Sequence, residues 1–122
     1  FILGHPYETK KTIKDTIKFA KNLDPTYAEF SIMTPFPGTE LYQMIRRQEG
    51  GLKLKVKDWG KFAHYGNVVT ELNGIPTEDL VKFQKHAFRE FYLRPKKILG
   101  YLKTMDLRVA MKTAYAFVKS NL

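Results

Sequence analysis

The first part of the chain alternates short apolar runs with a longer segment of helical spacing. Phe1–Leu3 is typical of a buried strand, and the turn residues Gly4–Tyr7 follow it. Apolar residues then recur every three or four positions, which predicts a helix from Glu8 or Thr9 to Leu23. The apolar side of this helix carries Ile13, Ile17, Ala20 and Leu23. A second strand is predicted over Tyr27–Met33, so the segment forms a βαβ unit with two parallel strands.

A rigid turn, a short helix and weaker extended patterns follow. Thr34–Thr39 contains two prolines and a glycine, and Thr39 is a suitable N-cap for a helix over Glu40–Glu49. Leucine and valine alternate with lysine over residues 52–57, which predicts an exposed or edge strand. We predict a mostly irregular connection over the rest of the segment, with an extended stretch before an Asn73-Gly74 turn.

From residue 77 onward the pattern is helical. Thr77 caps a predicted helix over Glu78–Leu93, and Pro95 suits the first turn of a helix over Lys96–Lys103. Asp106 caps a last helix over Leu107–Ser120. The fold class is therefore α/β, a βαβ unit followed by C-terminal helices, with a division between segments 1–75 and 76–122.

Composition narrows the class of protein. The 122 residues fit one domain, and 43% apolar and 27% charged residues indicate a globular chain. Because the chain has no cysteine, it forms no disulfides and has no thiolates to hold zinc or an iron–sulfur cluster. The longest apolar run, Ala114–Val118, is far shorter than the roughly 20 residues of a membrane-spanning helix. We therefore expect no membrane span and a cytoplasmic location.

The chain has the features of a piece of a longer polypeptide. It begins inside the strand-like run Phe1–Leu3, and two parallel strands do not form a sheet that is stable alone. We therefore expect the preceding, N-terminal part of the same polypeptide to be its partner. Because open strand edges invite pairing, we also expect copies of the isolated chain to self-associate.

Basic residues are concentrated at the C-terminal end. The net charge is +9, and the part from Arg94 onward has seven bases and one acid. This pattern supports an alternative function, a basic helical interaction module that binds nucleic acid or an acidic partner. Since no nucleic-acid-binding signature is present, we do not expect nucleic acid to be that partner. A solvated helix face would carry the same charges, and that interpretation stays open.

Two turns carry the candidate chemistry. Ligands of parallel α/β folds bind beyond the carboxyl ends of the strands, where residues 4–9 and 34–39 would lie together. Each turn offers backbone N–H groups and a capping hydroxyl, and Glu8 could accept a hydrogen bond from a ligand. Such turns would also suit a small ligand-binding α/β domain. In a purely structural alternative, Glu8 only favours the helix dipole and the prolines only shape the turns. No two histidines have the spacing of a helical metal site, so we predict no metal ligand.

Four segments resemble motifs of radical S-adenosylmethionine enzymes. Phe1–Thr9 resembles the family's "FIIGxPGET", with Tyr7 in place of the usual glycine, and Ser31–Tyr42 resembles a later barrel strand with its "TPFPGTxLY" turn. Asp58-Trp59 resembles a recurrent "DW", and Phe91–Pro95 resembles the "FYLRP" of the subgroup with an N-terminal cobalamin-binding domain. That subgroup includes anaerobic magnesium-protoporphyrin ester oxidative cyclases.

The resemblance implies a partial parallel barrel whose last part is residues 1–75, followed by a helical segment over 76–122. The resemblance implies that the parent is an oxidoreductase or transferase that cleaves S-adenosylmethionine at a [4Fe–4S] cluster and uses the resulting radical. The resemblance allows cobalamin as a further cofactor and leaves open whether it is used. The family's CxxxCxxC motif lies upstream, so this fragment alone would be non-catalytic and would bind none of these cofactors. By resemblance, the residues that help to hold the adenosine part are Gly4, His5, Pro6, Glu8, Ile32, Thr34 and Pro35.

Overall fold

The computed structural model describes residues 1–55 and 69–104, together with Met111 and Tyr115. The elements in chain order are β1 (Ile2–Leu3), α1 (Lys10–Leu23), β2 (Ser31–Ile32), α2 (Glu40–Arg46), β3 (Leu52–Leu54), β4 (Thr70–Leu72), α3 (Thr77–Tyr92) and α4 (Pro95–Thr104). The predicted Asp58-Trp59 motif lies outside the described residues. So does the predicted helix over Leu107–Ser120, except for Met111 and Tyr115, which are helical.

The βαβ unit is confirmed. β1 and β2 are parallel, with Leu3 aligned to Ile32. The Ser31 N–H donates to the Phe1 carbonyl at 2.9 Å, and the Met33 N–H donates to the Leu3 carbonyl at 2.8 Å. Within the described part of the chain this sheet has two strands, and no closed barrel is formed.

Helix α1 forms because capping and apolar spacing agree. The Thr9 hydroxyl accepts from the Thr12 N–H while the Thr12 hydroxyl accepts from the Thr9 N–H, which completes a capping box. Ile13, Ile17 and Ala20 are buried, as the spacing predicts. The expectation for Leu23 was wrong, since its side chain is 60% exposed. Leu23 is the last helical residue and lies at the margin of the apolar stripe.

Helix α3 packs against the strand–helix–strand unit through apolar and polar contacts. Leu80 and Phe91 are fully buried. The Phe30 ring lies edge-on to Phe88 and Phe91, with centroids 5.4 and 6.1 Å away. The buried Gln84 amide donates to the Phe30 carbonyl at 2.7 Å, so the backbone next to β2 is satisfied by a helix side chain.

Two ion pairs show that α1 and α3 run in the same direction. Lys10 pairs with Asp79 at 3.2 Å, and Lys21 pairs with Glu90 eleven residues further along both helices. The Lys21 ammonium lowers the pKa of the Glu90 carboxyl through a hydrogen bond.

The predicted edge strand after Gly51 and the extended stretch before Asn73 pair with each other as antiparallel strands. Leu52 aligns with Leu72, and Leu54 aligns with Thr70. The two strands pair because Leu52 and Leu72 are buried together with Met33, against Leu41 and Ile45 of α2. Helix α2 ends three residues before the predicted Glu49, because Gln48 takes a left-handed backbone with φ 58°.

The chain divides into two compact units, Phe1–Phe91 and Tyr92–Leu122. In the second unit α4 begins at Pro95, as predicted for a proline in the first helical turn. The predicted segment boundary at residues 75 and 76 stays a prediction about the longer polypeptide. Among the described residues, every helix is too short or too polar to cross a bilayer.

Candidate functional site

The two candidate turns lie at one edge of the first sheet. Because β1 and β2 are parallel and Leu3 aligns with Ile32, both turns leave the sheet at its carboxyl end. Gly4 lies against the neighbouring strand and α3, since a Cβ atom on it would be 3.7 Å from both Ile32 Cγ2 and Leu80 Cδ2. The common edge expected from the sequence is therefore present.

Glu8 closes the first turn. Its Oε2 accepts from the Gly4 N–H at 2.7 Å and from the His5 N–H at 2.9 Å, while its own N–H donates to the His5 carbonyl at 3.1 Å. A carboxylate that accepts two backbone N–H bonds holds the turn firmly. An anionic ligand would have to displace Glu8 to use these two N–H groups. Glu8 thus has a structural role in this turn.

The first turn is also supported by residues next to the ends of β3 and β4. The Tyr7 N–H donates to the Gly50 carbonyl at 2.9 Å, and the Asn73 side-chain amide donates to the Glu8 carbonyl at 2.8 Å. Gly50 is packed so closely that a Cβ atom on it would lie 2.7 Å from Pro6 Cβ. Tyr7, where the related motif has glycine, keeps a left-handed backbone with φ 65°.

Sequence reasoning missed Gly50, Gly51 and Asn73 as parts of the site. They were assigned only to a helix end and a turn. The available signal was the pair of consecutive glycines, because one left-handed residue is enough to end a helix. Gly50 and Gly51 both have positive φ, 67° and 72°, and the Gly51 carbonyl accepts from the Asn73 N–H at 2.8 Å.

The second turn is held by its own hydroxyl groups. The Thr39 hydroxyl donates to the Phe36 carbonyl at 2.6 Å and accepts from the Tyr42 N–H at 3.3 Å, which caps α2 as predicted. The Thr34 hydroxyl lies at the end of β2, 3.4 Å from the Ile32 carbonyl.

The predicted site residues differ in accessibility. Gly4, Ile32 and Pro35 are buried; Pro6, Glu8 and Thr34 are half-buried; His5 is exposed. The buried residues shape the edge, and direct contact with a ligand would fall to the others. Tyr7, which was not among the predicted site residues, is 71% exposed at the same edge.

The described residues offer no metal centre. Across the described ranges, no three His, Asp or Glu side chains lie together in a way that could hold a metal ion.

A cavity of about 290 Å³ on α3 is lined by Asp79, Lys82, Phe83 and His86, and it shares no residue with the two turns. The pKa of the Asp79 carboxyl is lowered by hydrogen bonds from Lys82 and then Lys10, so it stays ionised.

Comparison with known proteins shows similarity to three much longer relatives. The chain is 38% identical over 99 residues to a protein of Pyrococcus horikoshii described as an uncharacterized methyltransferase. The aligned region covers 81% of this chain and 21% of that relative. It is 29% identical over 94 residues to the anaerobic magnesium-protoporphyrin IX monomethyl ester cyclase of Cereibacter sphaeroides, covering 77% of this chain and 14% of that enzyme. The chain is 28% identical over 124 residues to the enzyme of the same name from Rubrivivax gelatinosus. The aligned region covers 99% of this chain and 21% of that enzyme.

The chain thus spans about a fifth or less of the length of these relatives. The similarities support a relationship to radical S-adenosylmethionine enzymes at a coarse level. No protein-family model matches the chain. No solved structure matches it significantly.

Proposed function

We propose that this chain is the C-terminal part of a radical S-adenosylmethionine enzyme and contributes adenosine-side binding and structural support. The observation that carries the proposal is the parallel strand pair with both turns at its carboxyl edge, in a chain similar to a methyltransferase and two cyclases. Ligands of parallel α/β folds bind at this edge of the sheet. The relatives' names favour an oxidoreductase or a transferase as the parent.

The iron–sulfur cluster would be held outside this chain. The chain has no cysteine, and the described residues contain no group of three His, Asp or Glu ligands. These residues therefore do not fit a [4Fe–4S] cluster, and no step of the radical chemistry is assigned to them. In this proposal the N-terminal part of the polypeptide supplies the cluster and any cobalamin site.

The same N-terminal part would complete the sheet. In the described part of the chain, the sheet of β1 and β2 has no third strand, so one edge of each strand faces away from its partner. Ile2 on β1 is 53% exposed, although it is an apolar strand residue. We expect strands of the preceding polypeptide to pair there, and copies of the isolated chain to associate when those strands are absent.

At the carboxyl edge the accessible polar groups would contact the ligand. Thr34 is half-buried at the end of β2, and its hydroxyl is the kind of group that can bond a ribose hydroxyl or an adenine nitrogen. The exposed His5 imidazole follows β1 at the same edge. Glu8 would act indirectly, because its carboxylate fixes the turn that presents His5.

The proposal is tested by measuring the Kd of S-adenosylhomocysteine, by equilibrium dialysis, for the anaerobically purified polypeptide that includes the N-terminal part. Thr34→Val keeps the shape of the side chain and removes the hydroxyl. We expect it to weaken binding about fivefold, because a hydrogen bond contributes about 1 kcal/mol.

The matched control is Thr16→Val on α1, a half-buried residue outside both turns whose hydroxyl donates to the Thr12 carbonyl. We expect its Kd to equal that of the unmodified protein. Equal Kd values for the two variants would contradict the assignment of Thr34. Absence of any binding by the unmodified polypeptide would contradict the proposed function itself.

A further inference from the structure

Helix α1 has an uncharged stripe along one of its sides. Its members are Thr12, Thr16, Phe19 and Leu23. They fall within an arc of about 60° at roughly 100° of rotation per residue, and this spacing is typical of a seam between two packed helices. Phe19 and Leu23 are each 60% exposed, although both are large and apolar. Every other exposed residue of α1 is charged, apart from Asn22. The α1 stripe is therefore distinct from the solvated surface of the same helix.

The α1 stripe lies on the side of the helix away from α3. The ion pairs with Asp79 and Glu90 place Lys10 and Lys21 on the side of α1 that faces α3. On the helix wheel the centre of the stripe lies about 160° from these two lysines and about 100° from the buried residues of α1. The stripe thus borders the buried face of α1 on the flank opposite α3.

The same flank of α1 is next to β1. The Phe19 ring lies edge-on to the Phe1 ring, with centroids 6.4 Å apart, and Phe1 directly precedes β1. Helix α3 instead contacts the backbone next to β2, where the Gln84 amide donates to the Phe30 carbonyl. In the described part of the chain, β1 pairs only with β2. The α1 stripe and the open edge of β1 are therefore on the same side of the βαβ unit.

The rules of chain connection specify what would cover this flank. In the proposed function, a strand of the preceding polypeptide pairs with the open edge of β1. Crossovers between parallel strands are right-handed, so a helix that connects such a strand to β1 lies on the same face of the sheet as α1. Connections between these helices and strands have about 2–6 residues. The end of that helix is therefore close to Phe1 and to the Phe19 ring beside it.

We propose that the α1 stripe is the docking surface for the helix that directly precedes β1 in the longer polypeptide. Phe19 and Leu23 would anchor the seam, because they contribute most of its exposed apolar area. This inference rests on the proposed function, which places a strand beside β1, and it adds a contact between two helices outside the sheet. The relatives have room for such a helix, since the chain spans about a fifth or less of their length.

Photo-crosslinking in the anaerobically purified polypeptide that includes the N-terminal part tests the proposal. Phe19 is replaced by the photo-crosslinker p-benzoylphenylalanine, which keeps an aromatic ring at the seam, and peptide mass spectrometry locates the crosslink. We expect position 19 to be joined to the helix that directly precedes β1 in the same polypeptide. The matched control carries the same crosslinker at Lys14, an exposed position on the other side of α1. Its yield of this crosslink is expected to be at least tenfold lower.

A second crosslinker position tests the direction of the docked helix. Helices that connect successive parallel strands run the same way along the sheet. The crosslinker at Leu23, one turn after Phe19, is therefore expected to reach the preceding helix about one turn closer to its C-terminal end. A crosslink displaced towards the N-terminal end would contradict the parallel arrangement on which the proposal depends.

Three results at position 19 would overturn the proposal. They are a crosslink to a second copy of the polypeptide, a crosslink to any other part of the same polypeptide, and a yield equal to that of the Lys14 control. Binding of S-adenosylhomocysteine by the same preparation separates this inference from the proposed function. If the ligand binds and one of these three results is found, the docking alone fails. If the expected crosslink forms and no ligand binds, the proposed adenosine-side binding fails.

Discussion

Gly51 offers a sharp test of how the first turn is supported. Gly51 and Gly74 have the same φ of 72°. A Cβ atom added to Gly74 would have no neighbour within 4 Å. A Cβ atom added to Gly51 would clash with the Asn73 side-chain oxygen. Gly74→Ala is expected to lower the free energy of unfolding by about 1–2 kcal/mol, the cost of a left-handed alanine. Gly51→Ala adds the displacement of Asn73 and loss of its bond to the Glu8 carbonyl, about 1 kcal/mol more.

Equilibrium urea unfolding followed by circular dichroism measures both values. The contribution of Asn73 to the stability of the turn is measured by repeating Gly51→Ala in an Asn73→Ala background. In that background the clash with the Asn73 side chain and its bond to the Glu8 carbonyl are already absent. We expect the cost of Gly51→Ala to fall there by about 1 kcal/mol. If Gly51→Ala costs the same as Gly74→Ala, or if the two substitutions add within about 0.5 kcal/mol, Asn73 does not support the turn as described.

Two further predictions concern the contacts of α3. Gln84→Met keeps the length of the side chain but leaves the Phe30 carbonyl without its hydrogen-bond donor. We therefore expect the free energy of unfolding to fall by about 1–3 kcal/mol. An unchanged urea midpoint would contradict this expectation. Lys21 lowers the pKa of the Glu90 carboxyl in the folded chain. The ion pair therefore stabilises the folded chain at pH values above the pKa of Glu90 in the unfolded chain, about 4.3. This stabilisation is lost as the pH falls through the lower pKa of Glu90 in the folded chain. Lys21→Met should therefore cost less than about 1 kcal/mol at pH 7 and flatten the fall in urea midpoint below about pH 5; an equally steep fall would refute the role of Lys21.

The elements that local chemistry determines were predictable. The helical spacing of Ile13, Ile17 and Ala20 and the capping hydroxyls of Thr9 and Thr39 define α1 and the start of α2. The parallel pairing of β1 and β2 follows from the crossover connection, and it places the two turns at one edge. These features depend on residues close together in sequence, or on a rule of chain handedness.

The support of the candidate site was not predictable in this way. Asn73 reaches the Glu8 carbonyl across 65 residues, and this contact depends on the pairing of Leu52 with Leu72. The pattern of alternating lysines indicated only an edge strand and carried no information about its partner. The role of Glu8 stayed open for a similar reason, because a carboxylate after a turn can serve a ligand or the backbone, and only the positions of the Gly4 and His5 N–H groups decide between them.

The hydrogen bond between Asn73 and Glu8 has a consequence for the folding of the site. The first turn takes its final form only after chain segments 65 residues apart have met, and a second bond joins Tyr7 to Gly50. Contacts of such large sequence separation form late, since the entropy of closing the intervening loop opposes them. Local helices can thus be present in a chain whose turn is still unformed. We expect the amide protons of Gly4 and Tyr7 to become protected from hydrogen exchange later in refolding than those inside α1.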